Sequence, residues 1–217
     1  MPTRRALLSG GVRRSLVALG VGLALDGSTL GAQKAPAVSL GNFASQRLIV
    51  LPVQTLRGDA ASWVTAPAWE KFRRELDDSL SAALAARGPG RGWAYSADVA
   101  RLSRRNALYT NDPYAIGVER LRGQPYKADD HAPDAMAGSL RTLVALSDAR
   151  YALVPVELVF EKQGERQRAV LRLALIDARL GTFVWVGDAA TDAAAAIPAG
   201  LAGLIAQKAA DFVAPKN

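Results

Sequence analysis

The sequence predicts a single α/β domain: a mixed β-sheet that ends in an antiparallel meander and is packed by amphipathic helices. Three observations predict it. "RLIVLPV" (47–53) is a continuous leucine and β-branched run, the form of a strand buried on both faces. Trp69, Phe72, Leu76, Leu80 and Leu84 then recur at spacings of three and four, the stripe of an amphipathic helix. Near the end, three strand-like segments follow one another across two glycine-containing turns.

Each element has a local reason. Pro52 lies where a strand should end, since it cannot donate to a ladder. The polar stretch after it, "QTLRGDAASWVTAP", reads as a loop carrying Trp63. Thr65 is placed to cap the first helix and Pro67 to occupy its first turn. Glu70 with Arg74, and Arg74 with Asp78, are spaced as i,i+4 pairs on the wet side, and Gly88 stands where a C-terminal cap belongs. "GPGRG" (88–92) turns into a short strand at Trp93–Tyr95. Ser96 is placed to cap a second helix running to about Arg105.

From Asn106 to Pro133 no period is apparent, and so long a patternless stretch suits a functional loop or a mobile one. Helical pattern resumes at "DAMAGSLRTLVALSDA", with Leu140, Leu143, Val144 and Ala145 as its apolar face. Strands are expected at 151–161, 166–176 and 182–186, with Gly164 and Gly181 free to take positive φ in the turns. Alternation of Ala169, Leu171, Leu173 and Leu175 with Arg168, Val170 and Arg172 makes one face of the middle strand wetter. A last helix to about Val213 should turn Ile197, Leu201, Leu204, Ile205 and Phe212 inward, with Pro198 near its first turn.

Residues 1–37 are expected to be an export signal peptide and short linker, leaving 38–217 as the folded domain. Arg4–Arg5 and Arg13–Arg14 precede an uncharged run, Ser15 to Leu25, too short for a membrane-spanning helix. Small residues at Ala32 or Ala37 suit cleavage, and "TRRALL" matches the twin-arginine form, a possible Tat export signal. The expected location is periplasmic or secreted, with no transmembrane anchor after cleavage. The segment holds five cations against Asp26, so four of the chain's seven net positive charges lie in it. A remainder of about +3 calls for no nucleic acid.

The chemistry is narrowly bounded. With no cysteine and one histidine in 217 residues, disulfides, thiolate sites and sites of two imidazoles are excluded. No G-x-S-x-G elbow occurs, "GPGRG" lacks the lysine and hydroxyl of a phosphate-binding loop, and no catalytic residue, metal site or cofactor is assigned. Asp77 and Asp78 are neighbours and cannot share one helix face as a cooperating pair. "RLSRRN" (101–106) is a basic cluster that suits a solvated helix face, with contact to anionic lipid or glycan as the alternative. His131, beside Asp129, Asp130 and Asp134, is the one cluster from which an exported hydrolase or small-ligand binder could be built. Loop aromatics Trp63, Tyr109, Tyr114 and Tyr126 are the candidate partner-binding residues, because such side chains anchor interfaces.

The strand "RLIVLPV", the long helix, "DARYALVPVEL", the hairpin "LALIDARLGTFVW" and the closing helix together resemble a superfamily of envelope domains. It includes the amino-terminal domain of TolB, the periplasmic part of the curli secretion channel and the activators of penicillin-binding proteins. Asp177, Gly181 and Trp185 hold the positions of the D-x-x-x-G-x-x-x-W segment that often joins the last two strands there. The likeness spans roughly 46–213. It implies a non-enzymatic accessory domain that binds an envelope protein partner and uses no cofactor. The chain departs from those relatives in having no lipobox cysteine, no following propeller and no channel hairpins.

Overall fold

The computed structural model describes residues 40–43, 45–57, 63–87, 92–122 and 126–214. The expected signal segment and Gly88 lie outside the described residues. Ten elements of regular structure follow in order: β1 (Leu48–Val50), β2 (Thr55–Arg57), α1 (Trp69–Ala85), β3 (Trp93–Ala94), α2 (Ser96–Arg105), α3 (Asp134–Leu146), β4 (Tyr151–Gln163), β5 (Arg166–Asp177), β6 (Thr182–Ala190) and α4 (Leu201–Val213). Short 3-10 turns stand at Leu40–Phe43, Ala66–Ala68 and Val118–Leu121.

One sheet runs β3-β1-β4-β5-β6, and β2 pairs with β4 beyond the end of β1. The β1–β3, β1–β4 and β2–β4 pairs are parallel, whereas β4–β5 and β5–β6 are antiparallel. The sheet is therefore mixed and closes on a meander, as the sequence predicts. Two apolar clusters cover its faces. Leu76, Leu80 and Leu84 of α1 and Leu201, Ile205 and Phe212 of α4 pack on one face against Leu153, Leu171, Leu173 and Trp185. Met136, Leu140 and Leu143 of α3, with Val99 of α2 and Ile116 of the long loop, cover the other against Ala152, Val154 and Ile176.

Several local expectations are corrected. The stretch after Pro52 is not all loop: the strand resumes as β2, and Leu51 and Gln54 donate to Leu153 and Pro155 carbonyls between the two pieces. Pro52 interrupts the ladder without turning the chain away. Neither Thr65 nor Ser96 makes a side-chain cap bond, and Ser96 lies inside the first turn of α2. Glu70 pairs with Arg73 rather than Arg74, at 2.6 Å and an i,i+3 spacing. Helix α4 begins only at Leu201, after Pro198, so Ile197 and Leu204 are exposed while Leu201, Ile205 and Phe212 are buried. Ala145 is also exposed.

The Asp177–Gly181–Trp185 spacing has a structural cause. One Asp177 carboxylate oxygen accepts the amides of Arg179 and Leu180, and the other accepts from the Arg150 guanidinium at 2.8 Å. That contact holds Arg150 above its ordinary arginine pKa, through the Asp177 hydrogen bond first and its charge second. Gly181 takes φ +71° to close the turn. Four residues on, Trp185 is buried edge-on to Phe212, its centroid 6.1 Å away. The motif caps a turn and anchors a helix.

Candidate functional site

The four aromatic candidates separate. Trp63 is half-buried against Phe160, ring centroids 5.8 Å apart. Tyr126 packs on Phe183 at 5.1 Å and donates its hydroxyl to the Arg120 carbonyl at 3.0 Å. Tyr114 stacks under the Arg73 guanidinium at 4.3 Å. Tyr109 alone stands clear, 75% exposed, beside Leu108 at 92%. They form no single cluster.

The His131 loop is part of the sheet margin. Asp129 donates its amide to Phe183, Phe183 donates to Asp130, and Ala132 donates to Gly181, so the segment pairs with the start of β6. His131 is exposed there. Among the described residues no group of three or more His, Asp or Glu side chains could hold a metal ion.

The polar feature that sequence reasoning passed over is a groove between α1 and α2 at the carboxyl end of β1. At this point the strand order reverses: α1 leads from β1 to β3 over one face, and the return to β4 passes over the other. Ligands of open α/β sheets bind at such switch points. Asp77 projects from α1 into this position, 3% exposed. One of its oxygens accepts the Val53 amide at 2.7 Å, and the other has no partner among the described residues. Burial pushes its carboxyl up to about 7; the Val53 amide and Arg73 oppose the rise, and Asp78 and Glu70 add to it.

Ser96, in the first turn of α2, is 2% exposed, and its hydroxyl is likewise without a partner. Tyr114 closes the groove, with burial raising its phenol pKa first and the Asp77 charge second. Exposed Arg74, Asp78 and Arg104 stand around the mouth of this cavity of about 210 Å³, so Asp77 and Asp78 line one groove although they are neighbours on α1, a correction to the sequence expectation. A second hollow of about 430 Å³ shares Ala100, Arg104 and Tyr114 and continues past the end of α2 to Ala107 and Thr110, on either side of Leu108 in the chain.

Gln54 positions this wall. Buried between β1 and β2, it donates to the Pro52 and Pro113 carbonyls at 2.7 and 2.8 Å and accepts the Ile116 amide at 3.3 Å. Ser103 meets Thr110 at 3.1 Å, and Asn111 donates to Ser139 at 2.7 Å. The patternless loop is thus pinned side chain by side chain. Glutamine two residues past a strand proline is the one sequence signal that marked it. Asp77 interrupting the apolar face of α1 marked the site itself.

No family model and no curated protein matches the chain. Solved structures to which it is similar include the following three, each at 14% identity. Lipoprotein GNA1162 from Neisseria meningitidis matches over 79% of this chain and 99% of its own, with a TM-score of 0.40. The LpoB C-terminal domain from Salmonella enterica matches over 71% and 96%, with a TM-score of 0.37. The PelC dodecamer from Paraburkholderia phytofirmans matches over 84% and 93%, also with a TM-score of 0.37.

Proposed function

We propose that residues 38–217 form an exported, periplasmic or secreted envelope accessory domain, non-enzymatic, which binds a protein partner after removal of residues 1–37. The observation that carries the reading is the loop tip at Leu108–Tyr109. Two adjacent large side chains stand in solvent on a loop that is otherwise tied down. Tyr109 donates its own amide to the Asn106 carbonyl, and Thr110 bonds Ser103. A fixed backbone that offers apolar side chains to solvent gives an interface anchor at little ordering cost. Trp63, Tyr114 and Tyr126 then act as supports that set the loops on the domain, and Tyr109 as the contact. Among the described residues no helix is long and apolar enough to cross a membrane.

A photo-crosslinking amino acid at position 109, in cells, tests this. A defined adduct with one envelope protein is expected at 109 and not at 165, an exposed turn position on the sheet. Leu108→Ser should reduce the adduct about tenfold, the size expected when an interface anchor is truncated. Equal adducts at 109 and 165, or none at 109, would overturn the assignment.

A further inference from the structure

Asp77 and Ser96 line one cavity, and each holds a buried polar atom without a partner at its wall: the second carboxyl oxygen of Asp77 and the hydroxyl of Ser96. An unsatisfied buried polar atom costs about 1–3 kcal/mol, and more when it is charged. Their shared cavity lies at the topological switch point of the sheet, where a ligand can satisfy both. The question is what chemistry the lining accepts.

The lining carries both signs. A cation meets Asp77 and Asp78 but also Arg74 and Arg104, and an anion meets the reverse. Only a ligand carrying both charges is matched by all four. The two charges also have separate places. Asp77 and Ser96 form the dry end, suited to an ammonium that donates to carboxylate and hydroxyl. Ser96 and Arg104 lie eight residues apart on one helix, about 12 Å along its axis. Long side chains on a helix lean toward its N-terminus, so the Arg104 guanidinium shortens that gap. A volume of about 210 Å³ is smaller than the roughly 300 Å³ at which pockets for drug-sized ligands begin.

We propose that this groove binds a small ammonium–carboxylate zwitterion, an amino acid or short peptide, with its ammonium on Asp77 and Ser96 and its carboxylate on Arg104. The site is independent of the Leu108–Tyr109 tip. Titration with a free zwitterion needs no protein partner, and crosslinking at 109 needs no small ligand, so either reading can fail alone.

The charged groups acting on Asp77 are Arg73, Asp78 and Glu70 of α1 and, from the loop, Tyr114; Arg74 and Arg104 line the same cavity, and Asp112 acts on Tyr114. Ionised Asp77 is the form that holds an ammonium. Affinity should therefore rise between pH 6 and 8, as the carboxyl loses its proton near 7.

The experiment is an amide-resolved NMR titration of the exported domain with alanine, Ala-Ala and Ala-Ala-Ala, using acetate and ethylamine as single-charge controls. Saturable shifts are expected at Val53, Ser96 and Ala97 for one or more of the zwitterions. Asp77→Asn and Ser96→Ala should each weaken binding, the first by about tenfold or more. Ser96→Ala keeps the test decisive if the Asp77 variant does not fold. The proposal is overturned if no zwitterion saturates, if acetate or ethylamine binds as well, or if Ser96→Ala binds like the unaltered chain.

Discussion

At the scale of single residues, Asp77 is the side chain whose surroundings depart furthest from its chemistry. It is a carboxylate on the apolar side of a helix, partnered at one oxygen only. Because its pKa is raised in the folded chain, the folded state keeps the proton to higher pH than the unfolded chain, whose carboxyl titrates near 3.8. Stability must then fall as pH rises from about 4 to about 7, and level off above that. The full effect is on the order of 4 kcal/mol. Asparagine keeps an oxygen for the Val53 amide and carries no charge. Urea unfolding of Asp77→Asn should show a flatter pH profile and higher stability than the unaltered chain at pH 8. An unchanged profile would mean that Asp77 is not buried as described.

At the scale of elements, α4 packs along the meander and makes one very close approach to it. A Cβ on Gly187 would lie 2.5 Å from the Phe212 ring, nearer than any side chain tolerates. Phe212 in turn braces Trp185, so glycine is required for the helix to lie flat on β6. Gly187→Ala should cost about 1–3 kcal/mol by overpacking, visible as a lower thermal midpoint. Gly164→Ala gives a contrast, since its φ of +62° involves backbone strain but nothing stands within 4 Å. If Gly187→Ala unfolds at the unaltered temperature, the helix is not in this contact.

For the whole molecule, a charge ladder crosses the sheet. Arg57 of β2 lies 3.5 Å from Glu157 of β4; Arg172 of β5 lies 3.2 Å from Glu157 and 2.9 Å from Asp188 of β6. Asp188 in first place, with Glu157 adding, holds Arg172 above its ordinary pKa against its own desolvation. The Glu157 side chain is wholly buried. Removing one partner of a buried pair costs about 3–5 kcal/mol, whereas replacing both by apolar groups costs far less. Arg172→Met should therefore be strongly destabilising, and adding Glu157→Leu should recover much of the loss in urea denaturation. A double variant no more stable than the single one would show that the ladder is not coupled.

The sequence by itself determined the order of elements apart from β2, the mixed sheet and the closing meander, because those follow from local periodicity and turn chemistry. Leu76, Leu80 and Leu84 repeat on one helix face, and Gly164 and Gly181 permit the two turns. It also showed the turn of Asp177 and Gly181, since the Arg179 and Leu180 amides that Asp177 accepts lie within it, whereas the Arg150 and Phe212 partners of Asp177 and Trp185 are 27 residues away. Tertiary structure decided what depends on distant partners. A bulge between Pro155 and Glu157 reverses which residues face each cluster, so Leu158 and Phe160 join Leu153 on one face and Glu157 meets Arg172 on the other. No alternation count shows that, because one extra residue inverts the parity. The pinning of the long loop by Gln54 spans 62 residues to Ile116. Asp77 and Ser96, on different helices, share a cavity only because α1 and α2 leave the sheet on opposite faces where the strand order reverses.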